Sequence, residues 1–251
     1  MSEAKGFVKH IPNTITCLNL FCGCSAALMA MEGYLVWASF LVILAAVFDF
    51  MDGLAARVLK AYSPMGKELD SLADMVSFGF VPGVIALAYL KGAILGSASA
   101  NFVPAELSCS QLAILLSAFI IPIFSALRLA KFNVDTRQTT SFIGVNTPMN
   151  AMFWASFALI FHFGDYPKIE ALANNPTVLI IAIIVTSLLL VSEIPMFALK
   201  VKSLAWKENK IRYLFLISLL VLAILLKWLV VPLIIFVYLF FSIIDNLISK
   251  K

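Results

Sequence analysis

Charge is what this sequence has least of: Asp, Glu, Lys and Arg make up 13% of its 251 residues, about half the share of a soluble domain. With 62% hydrophobic residues and a mean hydropathy of +1.01, that scarcity excludes an ordinary water-soluble globule and leaves a bilayer as the natural solvent. Histidine is scarce too. His10 and His162 have no partner at helical ligand spacing, so no histidine role is expected. The four cysteines, Cys17, Cys22, Cys24 and Cys109, lie in or beside apolar stretches, where a thiol behaves as a small hydrophobe. Cys22-Gly23-Cys24 is not a CxxC pair and has no second cluster to complete it, which sets aside a disulfide framework and a thiolate zinc site. No internal repeat, low-complexity tract or separate soluble domain is visible. No small-residue cleavage pattern follows the first apolar run, so that run is expected to stay in the mature protein.

What the sequence has in abundance is long apolar runs, recurring from residue 13 to residue 248. They predict an all-α, polytopic transmembrane bundle of about eight spans, near residues 13–31, 34–56, 67–90, 111–131, 148–164, 176–198, 211–226 and 228–247. Only Lys227 divides the last two, so seven spans remain an alternative. The segments 91–110 and 165–176 read as outer loops. The stretch 200–212 reads either as a short interfacial helix or as a basic loop. With eight spans, fifteen of the eighteen Lys and Arg residues fall on one side, leaving only Lys91, Lys168 and Lys227 on the other. Short cytoplasmic loops are enriched in such residues, so both termini are expected in the cytoplasm of an inner-membrane protein. This asymmetry and anionic headgroups account for the net charge of +4 with no nucleic-acid partner.

The informative stretch is Asp49-Phe-Met-Asp52-Gly53-Leu-Ala-Ala56-Arg57, followed after eight residues by Gly66-Lys-Glu-Leu-Asp70-Ser-Leu-Ala-Asp74. On helices, Asp49 and Asp52 (i, i+3) share one face, as do Asp70 and Asp74 (i, i+4). A hairpin at Ser63-Pro64 would turn the two pairs toward each other. An aspartate at the centre of a membrane helix costs about 2.5–3.5 kcal/mol on insertion scales, so four of them need neutralising. Carboxylate oxygens suit Mg²⁺ or Mn²⁺, and two such ions would clamp a phosphoryl group. Gly53, Ala56 and Gly66 leave bare backbone beside the acids for a bulky nucleotide. Arg57 offers a bidentate phosphate contact. A cation-coupled carrier also uses intramembrane acids, but would spread them over several spans or repeated halves.

The whole pattern, D-x2-D-G-x2-A-R-x8-G-x3-D-x3-D, resembles the signature of the CDP-alcohol phosphotransferase family, and every position of it is filled. The resemblance implies two divalent cations bound by Asp49, Asp52 and Asp70. It implies Asp74 as general base on the acceptor hydroxyl and as a further metal ligand. Gly53, Ala56, Arg57 and Gly66 would line the CDP site, with Asn13 and Thr16 from the first span in reach of the nucleotide. Asn19 lies on the same stripe and serves equally for an interhelical hydrogen bond.

Three further stretches, Ile11–Thr16, Ser77–Pro82 and Arg128–Asn133, resemble those of bacterial and archaeal phosphatidylserine synthases, as does Phe142-Ile143-Gly144 with Thr147-Pro148 beyond it. This resemblance covers roughly the first 155 residues. It departs at Val81-Pro82, which lacks the Ala often found next in relatives, and at Asn146, where Pro is expected. It implies CDP-diacylglycerol and L-serine as substrates, membrane lipids as surroundings and a homodimer as the assembly. Arg128, Lys131 and Asn133, with Arg137 nearby, would meet the carboxylate of serine; glycerol 3-phosphate or inositol phosphate would suit the same basic cluster. The expected layout is one membrane domain over 1–251, with an interfacial segment at 1–12, catalytic spans over 13–164 and additional spans over 176–247. Glu193 and Asp245 are expected to be structural, each pairing with a nearby Lys or Arg.

Overall fold

The computed structural model describes residues 10–135, 142–197 and 206–249. Arg137, the N-terminal segment before His10 and residues 200–205 of the 200–212 stretch lie outside them. Apart from turns and loops, the described chain is helical with one short strand pair. Five helical stretches are long and apolar enough to cross a membrane, or six if one bent pair counts as a span. The chain is therefore an all-α membrane protein.

Helix α1 spans His10–Met31 and α2 spans Leu35–Val58. They pack through small residues: Ala26 and Ala30 on α1 and Ala38, Val42 and Ala45 on α2 are fully buried. This is how helices approach one another where lipid removes the hydrophobic drive. Outward-facing Phe21, Trp37, Phe50 and Val58 are exposed, as a lipid-facing surface requires.

After the turn at Lys60, whose φ is +51°, Ser63 caps α3 (Pro64–Asp74) by accepting from the Gly66 amide at 2.9 Å, with Pro64 at the first helical position. Both features are standard helix-start chemistry. The rod then widens into a π-helical turn, Met75–Phe80, and continues as α4, Val81–Leu95. This rod is the most enclosed of the candidate spans, with 67% of its window buried, so the bundle is built around it. Close approaches hold it there. A Cβ on Gly23 of α1 would meet the Ser77 Oγ at 2.3 Å, and one on Gly83 would meet Pro122 at 2.8 Å.

Beyond a loop come α5 (Cys109–Leu116) and α6 (Ile120–Val134), joined by one 3₁₀ turn. The remaining elements are β1 (Phe142–Ile143), α7 (Thr147–Phe163), α8 (Pro167–Ala173), α9 (Pro176–Val191), β2 (Pro195–Met196), α10 (Trp206–Leu226) and α11 (Val230–Ser249). Two boundaries differ from the sequence reading. The span expected over 176–198 ends at Val191, and Pro195 instead starts a strand pairing antiparallel with β1, because a proline bars helix continuation and pushes its predecessor to extended geometry. The outer loop expected from Lys91 begins only after Leu95, where Gly96 takes φ +82° and ends α4 in a left-handed cap. Helices α8 and α9 meet at 78°. Lys227, at φ +50°, turns the chain between α10 and α11. The Phe215 and Tyr238 rings lie 5.6 Å apart, whereas a straight helix would separate them by about 34 Å, so these two helices fold back on each other.

Candidate active site

The signature residues are placed by two helix ends. Asp49 and Asp52 sit near the C-terminal end of α2, and Asp70 and Asp74 occupy the second half of α3. The hairpin at Ser63 brings the two pairs together. One carboxylate oxygen from each of Asp49, Asp70 and Asp74 lies within 4.8 Å of the others, and all three residues are half-buried. Asp52 stands beside this group, 6% exposed, and its Oδ2 accepts a 2.6 Å hydrogen bond from the Thr16 hydroxyl of α1. Three half-buried carboxylates this close repel one another unless a cation stands among them. An all-oxygen donor set of this kind fits a hard divalent ion.

A cavity of about 310 Å³ adjoins the acids, lined by Asn13, Thr16, Asp52, Gly53, Arg57 and Asp70 among others. Ala56 and Gly66 complete its bare-backbone wall. A Cβ added to Gly66 would stand 3.0 Å from both the Asn13 Oδ1 and the Ser63 Oγ, so glycine keeps that wall open. Arg57 donates from Nε to the Gly53 carbonyl at 2.9 Å and is otherwise exposed. The guanidinium is thus held at the rim with donors to spare.

The acceptor-side residues fare differently. Arg128, buried on α6 at 7% exposure, feels the charge of Asp74 and lies 5.2 Å from the Phe132 ring. Asn133 is bound to α3: its Nδ2 donates to the Ser71 Oγ at 2.9 Å, and its carbonyl accepts from the Lys67 Nζ at 3.4 Å. Lys131 is ion-paired with Glu193, which bears out the structural part expected of Glu193.

Asn19 makes an interhelical hydrogen bond of the kind expected of it, though its partner lay beyond sequence reasoning. The Asn19 amide donates to the Asp74 Oδ1 at 3.5 Å, and the Ser77 hydroxyl donates to the Asn19 carbonyl at 3.1 Å. The π-helical turn starts at the residue after Asp74, in keeping with the frequency of such turns at functional sites. Asn19 was named on the α1 stripe; the π turn has no signal in composition or period.

The sequence model of the CDP-alcohol phosphatidyltransferase family matches residues 9–191. The chain belongs to that family. Curated relatives include a CDP-diacylglycerol–serine O-phosphatidyltransferase from Helicobacter pylori, 32% identical over 157 residues, or 61% of this chain and 60% of the relative. One of the same name from Bacillus subtilis is 34% identical over 58% of this chain and 73% of its own length. An archaetidylserine synthase from Methanothermobacter thermautotrophicus is 31% identical over 64% of this chain and 61% of its own. The match thus spans about 60% of the length of the Helicobacter relative. For a CDP-alcohol phosphatidyltransferase, the matched region contains every element that carries the acids, from α1 through α9.

Proposed function

We propose that this protein transfers the phosphatidyl group of CDP-diacylglycerol to the hydroxyl of L-serine, giving phosphatidylserine and CMP. The observation that carries the reading is the gathering of the signature aspartates beside one cavity: Asp70 joins Asp49 and Asp74 in the carboxylate cluster and, with Asp52, lines the cavity opposite Thr16, Gly66 and Arg57. The names of its relatives support the choice of acceptor.

Asp49, Asp52, Asp70 and Asp74 would hold two divalent ions, Mg²⁺ or Mn²⁺. When bound, these would neutralise the diphosphate and take up charge developing on the leaving oxygen. Thr16 fixes one Asp52 oxygen and leaves the other for coordination. Asn13, Thr16, Gly53, Ala56, Arg57 and Gly66 receive the CDP moiety, with Arg57 at the phosphate. Asp74 takes the proton of the serine hydroxyl as that oxygen attacks the phosphorus attached to diacylglycerol. Its bond to CMP breaks as the new ester bond forms. Arg128, buried beside Asp74, meets the carboxylate of serine, and Asn133 steadies α3 behind Asp70. Lys131, engaged by Glu193, contributes positive potential.

We also read eight spans in one membrane domain over 1–251, with catalytic spans over 13–164 and accessory ones over 176–247. The α10–α11 fold-back and the 17-residue α7 support that count. Basic residues concentrated on one side support cytoplasmic termini and an active site facing the cytoplasm. The family resemblance supports a homodimer.

The test is CMP release from CDP-diacylglycerol by purified protein with Mn²⁺ or Mg²⁺, comparing L-serine, glycerol 3-phosphate and inositol phosphate. Release that needs both metal and L-serine, with phosphatidylserine formed, establishes the reading. Release with another acceptor alone overturns the choice of serine, and none with any acceptor overturns the reaction.

A further inference from the structure

A second cavity, of about 390 Å³, opens at the other end of α1, between that end, α4 and the loop that follows α4. From Thr16 to Met31 the helix rises about 22 Å, so this cavity belongs to the membrane surface opposite the aspartates. Its walls are largely apolar, with Val84, Leu87 and Phe119 among them; Ser99 and Asn101 add polar groups on the loop side, and its charged groups are Glu32 and Lys91. Lys91 is only 8% exposed. Among the described residues it makes no hydrogen bond or ion pair; Glu32, exposed at the rim, acts on it electrostatically from beyond bridging distance. A lysine side chain this little exposed, reaching a largely apolar cavity, lacks an anion at contact distance. The cavity is also built. Gly33, at φ +82°, lets the 32–34 turn meet Ser99 so closely that a Cβ there would stand 3.0 Å from the Ser99 Cβ.

We infer that this cavity binds the headgroup of a zwitterionic phospholipid carrying a primary amine, with its phosphate on Lys91 and its amine at Glu32. One buried cation and one rim anion match a phosphate and an amine separated by a short linker. Met31 and Leu116, 50% and 46% exposed, stand among the lining residues and give acyl chains an apolar path from the cavity to the bilayer. The site is independent of the reaction proposed above. It would anchor the lower end of the α3–α4 rod, which carries Asp74 at its upper part.

The test uses the full chain, stripped of lipid in detergent, then exposed to phosphatidylethanolamine or phosphatidylglycerol vesicles. Retained lipid is counted by native mass spectrometry. The expected result is retention of phosphatidylethanolamine about tenfold above phosphatidylglycerol, the value of one charge-assisted hydrogen bond. Lys91→Met lowers retention of both by a similar factor, Lys91→Arg restores it, and Glu32→Gln removes the preference between them. Equal retention of the two lipids by the unaltered chain overturns the headgroup assignment. Unchanged retention in a Lys91→Met protein with an unaltered melting curve overturns the site. If Lys91→Met does not fold, a preserved preference in Glu32→Gln overturns it instead. Displacement of the lipid by equimolar glycerophosphoethanolamine overturns the lipid as occupant in favour of a soluble zwitterion.

Discussion

The Thr16 hydroxyl of α1 donates to the Asp52 Oδ2 of α2 at 2.6 Å, and both side chains are buried. Thr16 also donates to the Pro12 carbonyl one turn earlier, at 3.0 Å, so the two acceptors share its single proton. The bond fixes which oxygen of Asp52 is left for the cavity.

Thr16→Val keeps the shape of the side chain and removes the donor. A partner that orients a metal ligand is typically worth about 10–100-fold in metal affinity or activity. Thr16→Val is expected to raise the Mn²⁺ concentration for half-maximal CMP release within that range, and Thr16→Ser to restore it. Metal titration of the two variants checks this, and equal requirements in both would show the contact to be packing alone.

Asp74 and Asp49 share one effect in the absence of metal and are told apart by what metal and substrate then do. With carboxylate oxygens of Asp49, Asp70 and Asp74 within 4.8 Å of one another, neutralising any one relieves repulsion in the metal-free protein. Asp49→Asn and Asp74→Asn are both expected to melt above the unaltered chain in EDTA. Adding metal at 100 times its Kd should stabilise the unaltered chain by about 2.7 kcal/mol and the Asp49→Asn variant far less. CMP release by Asp74→Asn should fall about 10²–10⁴-fold, the span attributed to a general base. Melting curves with and without Mn²⁺, beside the rate, decide the matter.

How much of this was legible in the sequence differs by kind of feature. The acids were legible because their function demands fixed spacing on helices, and i, i+3 and i, i+4 survive whatever the helices pack against. Ser63-Pro64 announced its turn through local cap chemistry. The π-helical turn after Asp74 was not legible, because nothing in the composition or period of Met75–Phe80 distinguishes it from an α-helix; its close approaches, Ser77 to Gly23 and Gly79 to Ser125, are tertiary. The early end of α9 could have been read from Pro195; the apolar run through Met196 and Phe197 concealed it. Lys131 was grouped with Arg128 because i, i+3 spacing puts them on neighbouring positions of α6, yet what packs against each differs, and they find different partners, Glu193 and Asp74.

Glycine substitutions separate substrate space from packing. Gly66→Ala would set a methyl 3.0 Å from Asn13 and Ser63 at the cavity wall, so KM for CDP-diacylglycerol is expected to rise with little change in melting. Gly23→Ala faces the Ser77 Oγ at 2.3 Å and its Cα at 2.9 Å, away from the cavity. Overpacking of that kind costs about 1–3 kcal/mol, and this variant should lose thermal stability while any folded fraction keeps the original KM.

Arg128 and Lys131 give the last contrast, and it bears on the acceptor. Lys131 and Glu193 are 37% and 59% exposed, and an ion pair in such a setting contributes about 0–1 kcal/mol. Lys131→Ala and Glu193→Gln are therefore expected to leave both melting and the KM for L-serine within about twofold of the unaltered chain. Arg128 is enclosed beside Asp74, and its planar fork is matched to a carboxylate in a way an ammonium is not. Arg128→Lys, which keeps the charge, should raise the KM for L-serine about tenfold or more, the value of one lost charge-assisted hydrogen bond, while KM for CDP-diacylglycerol stays near its original value. A rise in both constants together would assign Arg128 to the nucleotide side of the site, and a Lys131→Ala effect as large as that of Arg128→Lys would mean that the Glu193 pair opens when the acceptor binds.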